Sequence, residues 1–227
     1  VLDYRTQQQG IDEGSMTLRN KLFTALIVIS AVVPNTELSA GASEPAESLF
    51  DGRTLQGWEG NKRIFRIEDG AIVGGTLKAR IAHNEFLCTE REFSDFDLKL
   101  KFKITGEKVN AGVQFRSRRI PNHFEVIGYQ ADLGQQYWGC LYDESRRKKI
   151  LAEPDRSELE KVLKRDDWNE YRIRAQGPRI QLWINGYQTV DYAEPDDKIE
   201  RRGIIGLQIH AGPPSEAWYK DIMIQEL

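Results

Sequence analysis

Sulfur and histidine are scarce in this chain: its 227 residues include two cysteines, two methionines and three histidines. Cys88 and Cys140 form neither a CxxC pair nor a Cys/His spacing that would close a tetrahedral zinc site, so a zinc module is excluded. Both fall inside predicted strands and are read as separate thiols, with a disulfide between them as the other arrangement open to an exported chain. An excess of charge of one sign is also lacking. The 32 Lys and Arg against 35 Asp and Glu leave a net charge of −3, and no basic run interleaved with aromatics follows a phosphate backbone. Nucleic acid is therefore a poor partner. Nor is there an apolar run long enough to span a bilayer: residues 22–33 supply 12 positions where about 20 are needed.

That short run has a different use. It follows the basic stretch Met16-Thr-Leu-Arg-Asn-Lys21 and precedes the small residues Ala40-Gly-Ala42, the three-part pattern of a secretory signal peptide. The expected organisation is an upstream extension over 1–15, a signal peptide over 16–42, a polar linker over 43–47 and one folded domain over 48–227. The setting expected is exported, periplasmic or extracellular and bacterial, with no membrane span once the signal is removed. The oligomeric state is not readable.

What the body of the chain does contain is alternation. Phe96, Leu98, Leu100, Phe102 and Ile104 alternate with Asp97, Lys99, Lys101 and Lys103, which puts five apolar side chains on one face of a strand. Similar short runs occur over 64–68, 71–74, 86–90, 112–118, 124–132, 137–143, 171–175, 180–185, 187–192, 203–210 and 218–225. Turn chemistry separates them, above all Asn185-Gly186 and Asp69-Gly70, which suit tight hairpins. The apolar anchors Leu49 and Trp58 flank Asp51-Gly52 and are expected to pin the start of the domain to a sheet. One short surface helix is expected over 157–165, where Leu159, Val162 and Leu163 recur at helical spacing. The pattern predicts an all-β sandwich of two antiparallel sheets.

Polar side chains collect on particular strand faces. Val113 and Phe115 share one face, which leaves Gln114, Arg116 and Arg118 on the other; Leu207 and Ile209 likewise oppose Gln208 and His210. The segment 128–144 adds acids, amides and aromatics at high density. Rings stack on the apolar face of a pyranose while amides and acids bind its hydroxyls, so a carbohydrate is the expected partner. No Glu-x-Asp-x-x-Glu run is present, which argues against a conventional retaining glucanase with two carboxylates about 5 Å apart.

At these residues the sequence resembles the 3-keto-disaccharide hydrolase domain family, relatives of the concanavalin A-like lectins and glucanases. The motifs that carry the resemblance are Leu49-Phe-Asp-Gly52 with Gly57-Trp58, Phe86-Leu-Cys-Thr-Glu90, Gly112-Val-Gln-Phe-Arg-Ser117, Gly128-Tyr-Gln-Ala-Asp132, Trp138-Gly-Cys-Leu-Tyr-Asp-Glu144, Asp167-Trp-Asn169, Ile184-Asn-Gly186 and Leu207-Gln-Ile-His-Ala-Gly212. Cys88 departs from it where an aromatic is expected, and Cys140 where a small residue is. The resemblance implies a concanavalin A-like jelly-roll sandwich with a concave sheet, acting on glycosides that carry a ketone at carbon 3. It implies His210, Asp132 and Glu144 as catalytic residues and Glu90, Gln114, Arg116, Tyr129, Gln130, Trp138, Tyr142, Asp143 and Gln208 as substrate contacts.

A 3-keto group acidifies the proton on carbon 2, so a base could remove it, the aglycone could leave by elimination, and water could then add. His210 suits the base and Arg116 or a bound divalent cation the enolate stabiliser, while Asp132 and Glu144 could serve as acid, base or metal ligand. No cofactor is required by the sequence, and the metal is left open. Two other readings stand beside an enzyme: a non-catalytic carbohydrate-binding module, and an envelope domain whose polar sheet is covered by its own loops or by a partner.

Overall fold

In the computed structural model, which describes residues 45–227, the alternating runs become two antiparallel sheets. The expected leader over 1–42 lies outside the described residues. In chain order the first strands are β1 (Glu47–Ser48), β2 (Trp58–Glu59), β3 (Phe65–Glu68), β4 (Ala71–Thr76) and β5 (Glu85–Phe93). Next come β6 (Phe96–Gly106), β7 (Asn110–Arg119), β8 (Val126–Gly134), β9 (Leu141–Glu144) and β10 (Lys149–Ala152). After the helix α1 (Arg156–Val162) follow β11 (Asn169–Gln176), β12 (Arg179–Ile184), β13 (Tyr187–Ala193), β14 (Gly203–Ile209) and β15 (Ser215–Glu226).

One sheet has the order β13-β12-β11-β6-β15-β4-β3, with β1 added to β15; the other runs β10-β9-β8-β7-β14-β5-β2. Leu98, Leu100 and Phe102 from the first sheet meet Val113, Phe115, Leu207 and Ile209 from the second in one buried core. The period of two thus does what it should, giving each sheet one dry face. Leu49 and Trp58 do anchor the start of the domain: Leu49 N–H donates to Ile222 O at 2.8 Å, and Trp58 Nε1 to Leu49 O at 2.7 Å.

Local turn chemistry is also realised. Asn185 and Gly186 sit at φ 49° and 84°, and Asp69 and Gly70 at 50° and 71°, the left-handed pairs that tight hairpins need. The Asn185 side chain does more, donating from Nδ2 to Val162 O at the end of α1 and to Asn169 Oδ1. Helix α1 is shorter than the 157–165 expected, because Asp155 caps its start through Ser157 N–H and Glu158 N–H and Leu163 is already extended.

The single strand expected over 137–143 is corrected. Gln135–Tyr137 form one turn of 3-10 helix and the strand resumes only at Leu141. Between them Gly139 sits at φ 70°, where a Cβ would come within 2.9 Å of Thr189 Cγ2. Cys140 therefore lies just ahead of a strand, whereas Cys88 lies within β5; both are buried and unpaired. Burial raises the Cys88 thiol to about 12 and the Cys140 thiol to about 11, so neither is a reactive thiolate. Among the described residues no helix is long and apolar enough to cross a membrane.

Candidate functional site

The four strands that carry the polar faces are neighbours in the order β9-β8-β7-β14. Their register sets Gln130 opposite both Gln114 and Tyr142, and sets Asp132 and Gln208 on either side of Gly112. Gly112 is what lets the amide row close up. A Cβ there would lie 2.7 Å from Cγ and Cδ of Gln130, so the Gln130 side chain runs across the bare backbone.

The row is a directed hydrogen-bond chain. Ser117 Oγ donates to Gln114 Oε1 at 2.9 Å, Gln114 Nε2 to Gln130 Oε1 at 2.5 Å, and Gln130 Nε2 to Asp132 Oδ1 at 2.7 Å. Every amide orientation is fixed by its neighbour. Gly112→Ala is expected to push Gln130 aside, break the chain and cost about 1–3 kcal/mol, measurable as a lower urea midpoint with unchanged slope. A midpoint equal to that of the parent would mean that Gln130 has room to move.

The chain ends in a cleft of about 120 Å³ lined by Gln130, Asp132, Tyr142, Glu144 and His210, with Asn84, Asn110 and Tyr137. Asp132 is 3% exposed, and burial, the leading cause, pushes its carboxyl well above the usual carboxylate range. Glu144 adds to that rise and the bond from Gln130 opposes it. Burial also raises Glu144, with a further contribution from the Glu125 carboxylate. Two acids sharing one cleft cannot both ionise cheaply, so burial and the neighbouring carboxylate both favour the protonated form of Asp132. His210 Nδ1 lies 2.7 Å from Ala211 O. A carbonyl accepts only, so Nδ1 carries the hydrogen and Nε2 of the neutral ring keeps a free lone pair. Burial raises the Tyr142 hydroxyl, which stays a neutral donor.

Polar atoms without a protein partner concentrate here. Asn110 Oδ1 in the cleft wall and both amide atoms of Gln208 are buried and make no hydrogen bond to protein, nor does Glu125 Oε2. Such atoms are costly unless something else meets them. Asn84 braces the region, accepting from Ala211 N–H at 2.9 Å and donating to Glu125 Oε1 at 2.9 Å. The face is only partly covered: Phe86, Cys88, Val126 and Ile204 cluster over its other part, and Gln114 and Gln208 are fully buried.

Several residues implied as contacts lie elsewhere. Arg116 does not share a face with Gln114. A bulge between Phe115 and Arg118 inserts one extra residue, and Arg116 at φ 45° turns away. Its guanidinium binds Ser94 O, Gly177 O and Asp95 Oδ1 at 2.7–2.8 Å and is 1% exposed. Tyr129 faces the core, stacked on Phe115, with its hydroxyl donating to Glu194 Oε2 at 2.6 Å. Asp143 sits opposite Tyr129 on the same inward face, fully buried, and pairs with Arg146 and Arg147. Trp138 is 8% exposed and packs near Phe102 with Arg165 over its ring. Glu90 is exposed on β5, its N–H donating to Gly57 O, in a separate groove with Glu47 and Gln56.

Three cleft residues were not foreseen. Asn110 was readable, because extending the alternation back from Gln114 and Gly112 puts it on the same face. Tyr137 lay in the aromatic-rich segment, whereas Asn84, in a loop, gave no periodic signal. Among the described residues no three His, Cys, Asp or Glu side chains group as metal ligands, so no cation site is assigned.

Among solved structures, the fold is shared with a candidate glycosyl hydrolase from Parabacteroides distasonis, at 19% identity and a TM-score of 0.61 over 80% of this chain and 94% of that one. A Bacillus subtilis protein of unknown function with a galectin-like fold aligns at 13% identity and a TM-score of 0.61, over 82% of this chain and 96% of that one. The carbohydrate-binding module CBM66 of Bacillus subtilis aligns at 15% and 0.57, over 75% of this chain and 96% of that one. These likenesses establish a galectin-like, jelly-roll sandwich. No curated protein matches the chain. A family model described as the 3-keto-alpha-glucoside-1,2-lyase-like domain matches residues 45–225. This chain, with its β9-β8-β7-β14 polar face, belongs to that family.

Proposed function

We propose that the domain is an exported enzyme that cleaves 3-keto-glycosides by elimination followed by hydration. The observation that carries this reading is a buried Asp132, its carboxyl raised above the usual carboxylate range, in the same small cleft as an imidazole whose Nε2 is free. His210 Nε2 takes the proton from carbon 2, and the C–H electron pair moves into the enolate of the 3-ketone. The enolate collapses, the bond from carbon 1 to the glycosidic oxygen breaks, and that oxygen leaves with its electron pair and the proton of Asp132. Water then adds across the new double bond, hydroxyl to carbon 1 and hydrogen to carbon 2. With Arg116 out of the cleft, the neutral donors beside the enolate are the Tyr142 hydroxyl and the Asn110 amide.

Incubation of the pure protein with a methyl 3-keto-α-glucoside tests this. Release of methanol is expected, with deuterium from solvent incorporated at carbon 2. Binding without release across the pH range would instead favour a carbohydrate-binding module, and neither binding nor release would sink both.

A further inference from the structure

A cleft of about 120 Å³ encloses at most one sugar ring, so the second unit of any glycoside held there must rest on the rim. On the Asn84 side the rim is built by two loops, residues 77–84 and 120–125. They are tied together by the Asn84 to Glu125 hydrogen bond. Beside that tie, each loop contributes rings. His83 and Phe124 stack at 4.3 Å and 17°, and His123 meets Phe124 at 4.4 Å and 31°.

Phe124 is 41% exposed, the one exposed Phe, Tyr or Trp among the described residues, and His123 beside it is exposed too. An exposed ring on a loose loop would fold down onto the sheet. This loop is braced instead: His123 N–H donates to Ile120 O, Ile120 N–H to Glu125 O, and Glu125 N–H to His123 Nδ1. Asn122 at φ 58° makes the reversal. The ring is therefore held out beside the cleft, with little ordering left to do on binding. Asn84 lines the cleft, follows His83 directly and bonds Glu125, which follows Phe124, so the rings are one residue along the chain from the tie at the cleft wall.

We propose that His83, Phe124 and His123 form a second sugar subsite that receives the leaving sugar of a two-ring glycoside, its C–H groups against the exposed edge of Phe124 and the imidazoles stacked on it. This rests on the reading that the cleft holds a 3-keto sugar. Tyr137 and Tyr142, which already line the cleft wall and meet edge to face, would contact the first ring and affect one-ring and two-ring ligands alike.

The test compares two probes by calorimetry in a His210→Ala background, which leaves substrate unreacted: a methyl 3-keto-α-glucoside and an α-linked 3-keto-glucosyl-glucose. Phe124→Ala is expected to weaken the two-ring probe about three- to tenfold and to leave the one-ring probe unchanged, with an unaltered melting temperature. Phe124→Trp should retain the two-ring affinity. Equal losses for both probes, or no loss for either, would overturn the subsite while leaving the cleft reading intact. Failure of the His210→Ala protein and of the unsubstituted protein to bind either probe would overturn the cleft reading and the subsite with it.

Discussion

Asp132→Asn is expected to slow release of an unactivated alcohol from a 3-keto-glucoside by about 10²–10⁴-fold and to spare release of nitrophenolate. The side chain is isosteric and can still accept from Gln130 Nε2, so the hydrogen-bond chain from Ser117 persists. What it lacks is a proton to give. An alkoxide needs that proton as its bond to carbon 1 breaks, whereas a nitrophenolate leaves as a stable anion, and the contrast between leaving groups isolates the acid role. The pH profile carries the same information. Asp132 must be protonated to donate, so the rate falls as Asp132 ionises. Because burial holds Asp132 well above the ordinary range, the falling limb lies above that of an exposed carboxyl, and Asp132→Asn removes it. Equal slowing of both leaving groups would reassign proton donation, with Glu144 the next carboxyl in the cleft.

Asp143→Ala is expected to cost about 3–5 kcal/mol, read as a fall in the urea midpoint at neutral pH. Asp143 is fully buried and receives both Arg146 and Arg147, and Arg147 also binds Glu194, which accepts from the Tyr129 hydroxyl. Deleting the one carboxylate leaves two guanidinium groups, each about a quarter exposed, facing a hole. The same network makes the fold acid-sensitive. Burial alone would raise Glu194, but hydrogen bonds from Arg147 and Tyr129 outweigh it and hold the carboxyl at about 2 against an ordinary 4.5. A value depressed in the folded state means that the stabilisation is complete above about 4.5 and drains away as pH falls toward 2. It amounts to something on the order of 3 kcal/mol. Glu194→Gln should flatten the loss of stability between neutral pH and about pH 3; an unchanged slope would locate the acid sensitivity in other carboxylates.

The two halves of this polar cluster differ in how they could be read. Gln130 and Asp132 lie two residues apart, as do Tyr142 and Glu144, so alternation alone assigns each pair to one strand face. The same parity sends Tyr129 and Asp143 to the opposite face, and they are the ones found inside, holding the sandwich rather than lining the cleft. Family motifs mark both sets, since a residue retained for packing and one retained for binding look alike in a motif. Arg116 obeys neither rule, because the bulge after Phe115 depends on how β7 meets β8 and leaves no trace in the local pattern.

The sequence by itself therefore determined the short strands, the hairpins at Asn185-Gly186 and Asp69-Gly70, the two-sheet sandwich and the membership of Gln114, Gln130, Tyr142 and His210 in polar faces. These follow from dihedral preference and a two-residue period, which act over neighbours in the chain. Only the tertiary structure decided that β9, β8, β7 and β14 adjoin, that Asn84 and Asn110 complete the cleft, and that Asp132 is buried, which raises its carboxyl. Adjacency, register and burial arise from pairing between residues distant in sequence, and the free energy of a charge depends on what those pairings leave around it.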